Sequence, residues 1–283
     1  MKNQWFKTAI MAFMFAIVLT GCKKENENGN VDVQLTDDPF PLSFVSEANI
    51  SFSKIEIRNE ETGEYYTVFE GNSTYNVAAL NNGATASVST QSVPQGTYDE
   101  IRVTIDGVSI KLTDGRVLDA QISGSIEANS EIYPALEVGN GGDASLLIDM
   151  DLAESFDFDT QGVINDIITS VTQILNIAGF DPDIRAAALD GTGTISGTVT
   201  DTQGNVYANA TVELETGMDL DGDGQTDNIS TITDATGSFK FLAVPEGTYQ
   251  VEVEAEDGTE LVSDGQVNVT AGAEVTVNAF HTN

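Results

Sequence analysis

The sequence predicts a mainly β protein built as two antiparallel β-sandwich domains, with one helix before the second. Three observations predict it. Short runs alternate apolar and polar residues, as in VDVQLTD, where Val31, Val33 and Leu35 share one face. Turn-forming stretches, among them ETGE, NNGA, TDGR and GNGGD, separate these runs. A phrase is nearly repeated: VPQGTYDEIRVTIDG at 93–107 and VPEGTYQVEVEAEDG at 244–258.

Residues 1–21 read as a secretory signal. Lys2 and Lys7 stand before the uncharged stretch Thr8 to Gly21. Its apolar part, AIMAFMFAIV, falls short of the roughly 20 apolar residues that a membrane-spanning helix needs. The stretch ends in LTGC, which resembles a bacterial lipobox. That resemblance implies cleavage before Cys22, the only cysteine of the chain, and its lipidation, palmitate included. Residues 22–30 then hold the lipidated Cys22 and a polar, flexible tether, KKENENGN. A Lys- and Glu-rich tail after the cysteine resembles the surface-export signal of Bacteroidetes-type lipoproteins. The expected location is the cell outer membrane, lipid-anchored and surface-exposed, with a periplasm-facing placement as the alternative.

The formal charge is -34. Loss of residues 1–21, which hold two lysines and no acid, takes it to -36. Such a charge repels phosphate backbones, so nucleic acid is excluded as a partner. It also keeps a secreted protein soluble and offers many oxygen ligands to divalent cations.

Residues 31–190 are expected to form the first β domain. In NISFSKIEI the inward face passes from Ile50 and Phe52 to Ile55 and Ile57, a one-residue change of phase that predicts a bulge. YYTVFE, EIRVTI, VSIKL and SLLIDMDL continue the strand pattern. A helix is predicted near 161–178. There Val163, Ile164, Ile167, Ile168, Val171, Ile174, Leu175 and Ala178 form a stripe, Asp159 or Thr160 can cap its start, and Gly179 follows its end. FDPDIRAAALDGTG is the junction, with the boundary near Leu189 to Gly193, and residues 191–283 form the second domain.

The repeated phrase is a turn that feeds a strand. Pro245 presets a turn dihedral, and Gly247 is suited to positive φ. Tyr249, Val251, Val253 and Ala255 then alternate with Gln250, Glu252, Glu254 and Glu256, one face for a core and one for water. Pro94, Gly96, Tyr98, Ile101, Val103 and Ile105 follow the same plan, with one extra residue after Tyr98. Each tyrosine hydroxyl needs a hydrogen-bond partner once its ring is buried.

The motifs SGTVTD, DATGSFKF and VPEGTYQV, in that order over residues 193–256 and reaching Phe280, resemble the carboxypeptidase regulatory-like domain and the related B-type repeats of bacterial surface adhesins. The resemblance implies a transthyretin-like β-sandwich of about seven strands. It implies an accessory module and no peptidase activity, and its members are often grouped with carbohydrate-binding-like folds. The first half is similar to an uncharacterised bacterial lipoprotein domain through VDVQLTDDPF, VPQGTYDEIRV, LLIDMDLAESFDFD and DPDIRAAALDGTGTISGTV. That resemblance brings no activity.

The strongest chemical motif is DLDGDGQTD. Asp219, Asp221 and Asp223 take positions 1, 3 and 5 of an EF-hand-like loop. Gly224 takes position 6, the Gln225 carbonyl position 7 and Asp227 position 9. This is a calcium pattern, but position 12 is Ser230 where a bidentate Glu would stand, and strand-like runs flank the loop in place of helices. Affinity toward the weak, extracellular end, about 10⁻⁴ M, is expected. Tyr65 and Tyr66, with Phe69 and Tyr75 nearby, form a candidate glycan or partner platform, since adjacent strand residues face opposite sides. Enzyme signatures are absent: the only histidine is His281, three residues from the end, and no triad, zinc cluster or phosphate loop is readable. The expectation is a non-enzymatic, lipid-anchored envelope protein for binding, adhesion or assembly support, with calcium as cofactor and a glycan or surface protein as partner. The alternative is a carbohydrate-binding accessory lipoprotein of a polysaccharide uptake system.

Overall fold

The computed structural model describes residues 28–38, 44–120, 122–160, 171, 174–201, 203–255, 257–278 and 280–282. Cys22, the signal stretch and residues 161–170, 172 and 173 of the expected helix lie outside the described residues. The remainder is almost wholly strand.

The first unit contains β1 (Asn28–Asp38), β2 (Val45–Asn59), β3 (Tyr65–Asn76), β4 (Ala86–Pro94), β5 (Gly96–Leu112), β6 (Val117–Asp119), β7 (Ile126–Val138), β8 (Asp143–Asp151), β9 (Phe156–Thr160), β10 (Ile174–Phe180) and β11 (Asp183–Ala188). A short helix, α1 (Leu152–Ser155), follows β8, and the Asp151 side chain caps it by accepting from the Glu154 amide. The main sheet runs β3-β2-β5-β7-β11-β8-β1-β4, with β6 on β5. Its two halves meet across one core: Ile50, Phe52, Ile55, Ile57, Ile101, Val103 and Ile105 from one side, and Val31, Val33, Leu35, Leu146, Ile148 and Met150 from the other. The phase change read in NISFSKIEI is real, since the β2 register shifts between Phe52 and Lys54 against both neighbours.

Two features differ from the sequence reading. Most ladders are antiparallel, but β1 with β8, β7 with β11, and in the second unit β12 with β20 are parallel. Residues 174–178 of the expected helix lie in strand β10, paired with β9. Register shifts at Ile174/Asn176 and Ile177/Gly179 place extra residues in β10. Ile174 and Ile177 are therefore both buried, three residues apart, and bulged strand imitates helical spacing.

The second unit contains β12 (Thr192–Thr198), β13 (Thr211–Met218), β14 (Asp227–Ile232), β15 (Ser238–Pro245), β16 (Gly247–Tyr249), β17 (Val251–Glu254), β18 (Glu260–Ser263), β19 (Val267–Val269), β20 (Glu274–Val277) and β21 (Phe280–Thr282). A β15-β12-β20 sheet and a β14-β13-β17-β18-β21 sheet enclose a separate core. Ile195, Phe239 and Phe241 come from the first sheet, and Val212, Leu214, Val251 and Val253 from the second.

The repeated phrase makes the same corner in both units. Tyr98 Oη donates to the Pro94 carbonyl at 2.7 Å, and Tyr249 Oη to the Pro245 carbonyl at 2.8 Å. Burial pushes both hydroxyls up to about 12, so they remain neutral donors. Gly96 has φ +152, whereas Gly247 is not left-handed. A Cβ on Gly247 would lie 2.7 Å from the Tyr249 hydroxyl, so close approach, and not the expected positive φ, excludes a side chain there. Tyr249→Phe is expected to cost about 1–3 kcal/mol by orphaning a buried carbonyl, measured by urea unfolding, and Tyr98→Phe a similar amount. An unchanged midpoint in both would mean the corners carry no stability.

The units meet through β8 and β11. Leu147 and Ala187 pack with Ala243, backed by Leu189 and Leu242. One step along, Arg185 Nη2 pairs with Asp149 Oδ2 at 2.6 Å, and Nη1 donates to the Ala243 carbonyl at 2.9 Å. One further step along, Asp183 stands directly opposite Asp151. The second unit covers the outer face of β8, which explains its nearly continuous burial from Ala144 to Met150.

Candidate metal centre

The turn between β13 and β14 is DLDGDGQTD, and its carboxylates fold inward on their own backbone. Asp219 accepts from the amides of Gly222 at 2.8 Å and Gly224 at 2.9 Å. Asp221 accepts from the Asp223 amide at 2.9 Å, and Asp227 Oδ2 from the Leu220 amide at 2.6 Å. Gly224 has φ +91, the left-handed bend required at position 6. Asp219, Asp221 and Asp227 each bring one oxygen within 4.8 Å of the others. Asp223 lies outside this trio. Its two oxygens accept from Gln225, one from the amide and one from the side chain, both at 2.7 Å.

The loop does not stand alone. It forms one wall of a cleft of about 330 Å³ whose other wall is Asp149, Asp151, Glu154, Asp183 and Arg185 of the first unit. Glu131 on β7 moors it, its amide donating to the Asp221 carbonyl at 2.6 Å. Asp183 is exposed at the cleft mouth, yet both units crowd it. Burial, then the charges of Asp151, Asp221, Asp227 and Glu154, push its acid up to about 7. Burial also raises Asp221, opposed by the Asp223 amide and reinforced by Asp227, Asp223 and Asp219. A cleft of this kind, oxygen-rich and short of cations, suits a hard divalent ion. The first-unit acids carry no motif, because DMD and DPDIR are ordinary strand sequence until the fold sets them opposite the loop.

The aromatic residues of β3 are placed differently from the loop. Tyr66, Phe69 and Tyr75 pack against the first core. Tyr66 meets Tyr98 edge-on at 6.0 Å, and its hydroxyl donates to Glu64 at 3.0 Å. Tyr65 donates to Glu100, and the Arg102 guanidinium covers its ring at 4.0 Å. His281 pairs with Asp264 at 2.6 Å, both exposed. No helix among the described residues is long and apolar enough to cross a membrane.

The family profile described as a domain of unknown function (DUF4382) matches residues 28–165, and the carboxypeptidase regulatory-like domain matches residues 194–281. No curated protein matches the chain. Among solved structures, the Bacillus anthracis TIE protein is 12% identical with a TM-score of 0.21, covering 83% of this chain and 35% of its own. The chain thus spans about a third of that protein. BcpA, the major pilin subunit of Bacillus cereus, is 12% identical with a TM-score of 0.20, covering 91% of this chain and 70% of its own. The shaft pilin SpaA of Lactobacillus rhamnosus GG (a D295N mutant) is 12% identical with a TM-score of 0.24, covering 89% and 96%.

Proposed function

From a DUF4382 domain followed by a carboxypeptidase regulatory-like domain, we propose a non-enzymatic, lipid-anchored protein of the cell envelope that acts in binding, adhesion or assembly support, with calcium stiffening the Asp219–Asp227 loop. The anchoring rests on the LTGC stretch and Cys22, and the non-enzymatic role on the accessory character of the second module. The observation that carries the calcium reading is the convergence of Asp219, Asp221 and Asp227 within 4.8 Å on a loop with the calcium spacing. The partner fitting this reading is a glycan or a surface protein, and the anchor sits in the outer membrane.

Thermal melting of the full chain tests the calcium site. With about 10 mM calcium and a dissociation constant of about 10⁻⁴ M, binding adds about 2.7 kcal/mol, an upward shift of several °C. Asp221→Asn with Asp227→Asn is expected to abolish the shift. An unchanged melting temperature for the unmodified chain would end the calcium reading.

A further inference from the structure

We infer that a small cavity between the two β units holds a single hard metal cation, of calcium or sodium chemistry, through Thr231 of the second unit and Asn82, Asp149 and Asp37 of the first. None of Asp219, Asp221 and Asp227 lines this cavity, and the inference does not rest on the calcium reading of their loop. The cavity measures about 10 Å³, room for one water-sized particle. Asp37 on β1, Asp149 on β8 and Asn82 in the turn before β4 form one wall. Thr231 on β14 and Lys240 on β15 stand on the other.

Ile229, Thr231 and Thr233 are buried at alternate positions in and just after β14. The Thr233 hydroxyl accepts from the Ala210 amide at 2.8 Å and donates to the Tyr207 carbonyl at 2.7 Å. The Thr231 hydroxyl, in a residue 2% exposed, has no hydrogen-bond partner. Asn82 Nδ2 donates across the units to the Ser238 carbonyl at 3.1 Å. That bond fixes the amide, since the reverse orientation would set two acceptors face to face. Asn82 Oδ1 is then the atom buried without a donor. Asp149 Oδ2 takes Arg185, and its Oδ1 is likewise unmet. Buried polar atoms in this state carry a desolvation penalty, and in folded proteins a bound species usually removes it. The chemistry of the lining selects the species. Asp37 adds a second carboxylate in a residue 5% exposed. Lys240 is the only Lys or Arg lining the cavity, and its ammonium is held by Glu274 at 3.4 Å. A hard cation serves carboxylate, amide and hydroxyl oxygens together and offsets buried negative charge, which a water does not.

The test uses the full chain carrying Asp221→Asn and Asp227→Asn, so that the loop does not report. Thermal melting is compared in calcium, sodium and tetramethylammonium chlorides at one ionic strength, the last cation being too large for the cavity. Calcium or sodium is expected to raise the melting temperature by a few °C over tetramethylammonium, and the ion acting at the lower concentration is the one the site prefers. Thr231→Val is expected to weaken that ion about threefold and Asp37→Asn about tenfold, because affinity follows ligand number and charge. In tetramethylammonium, Thr231→Val is expected to melt no lower than its parent, since an unsatisfied hydroxyl is removed without loss of shape. Equal melting in all three salts, with Thr231→Val destabilising, would mean a bound water only and overturn the cation. Equal melting with Thr231→Val neutral or stabilising would overturn any bound species. A cation response undiminished in both variants would put the ion elsewhere and overturn this site.

Discussion

Arg185→Ala is expected to destabilise the protein by about 3–5 kcal/mol, the cost of stripping the partner from a buried ion pair. Arg185 and Asp149 side chains are 11% and 10% exposed, so little water reaches the partner left behind. The Ala243 carbonyl loses its Arg185 donor in the same step. Both ends of the loss lie where the units join, so the first loosening should occur between the units and not inside either core. Urea unfolding gives the magnitude, and proteolysis near Leu189–Gly191 reports the loosening. The double variant Asp149→Leu/Arg185→Leu separates pairing from bulk. It is expected to recover much of the loss, since a buried pair replaced by apolar residues is often neutral or better. A single variant as stable as the parent would mean the pair is solvated and the junction looser than described.

Gly197→Ala is expected to cost about 2 kcal/mol or more, near 10 °C for a unit of this size. Gly197 lies on β12, paired with Val277 of β20 on one side and Phe239 of β15 on the other. A Cβ there would lie 1.9 Å from the Val277 carbonyl oxygen and 2.6 Å from the Phe239 ring. The first contact is backbone, so a rotamer change cannot relieve it, and the β12–β20 ladder has to part. Phe239 packs edge-on against both Phe241 and Phe280, and the disturbance passes directly into the second core. Differential scanning calorimetry should show the transition of residues 192–282 move while that of the first unit stays. An unmoved transition would mean β12 and β20 do not pair in this register.

Strand faces were legible because one buried side of a strand imposes a period of two on the sequence. Val31, Val33 and Leu35 are all fully buried, and so are Ile101, Val103 and Ile105. The bulge in β2 was legible because it shifts that period by one. The two irregularities in β10 defeated the same reasoning, since repeated shifts bring inward residues to a spacing of three, which helices share. Tyr65 and Tyr66 face opposite sides of β3, as adjacent strand residues do, and what each meets there is not written in their neighbourhood. Tyr66 is drawn to Tyr98 and the core, while Arg102 lies over Tyr65, and neither partner is near in sequence.

By itself the sequence determined which residues turn inward, the corner used twice at Tyr98 and Tyr249, and the spacing of acids from Asp219 to Asp227. These are local properties, set by side-chain alternation, turn chemistry and ligand spacing along a few residues. Tertiary structure alone decided that β1 lies parallel to β8, that Asp151 faces Asp183, and that both look across a cleft at the loop. Those relations depend on register between distant strands and on how two finished sheets seat against each other. The seating is carried by the packing of Leu147, Ala187 and Ala243 and by the Arg185–Asp149 pair, which no local period records.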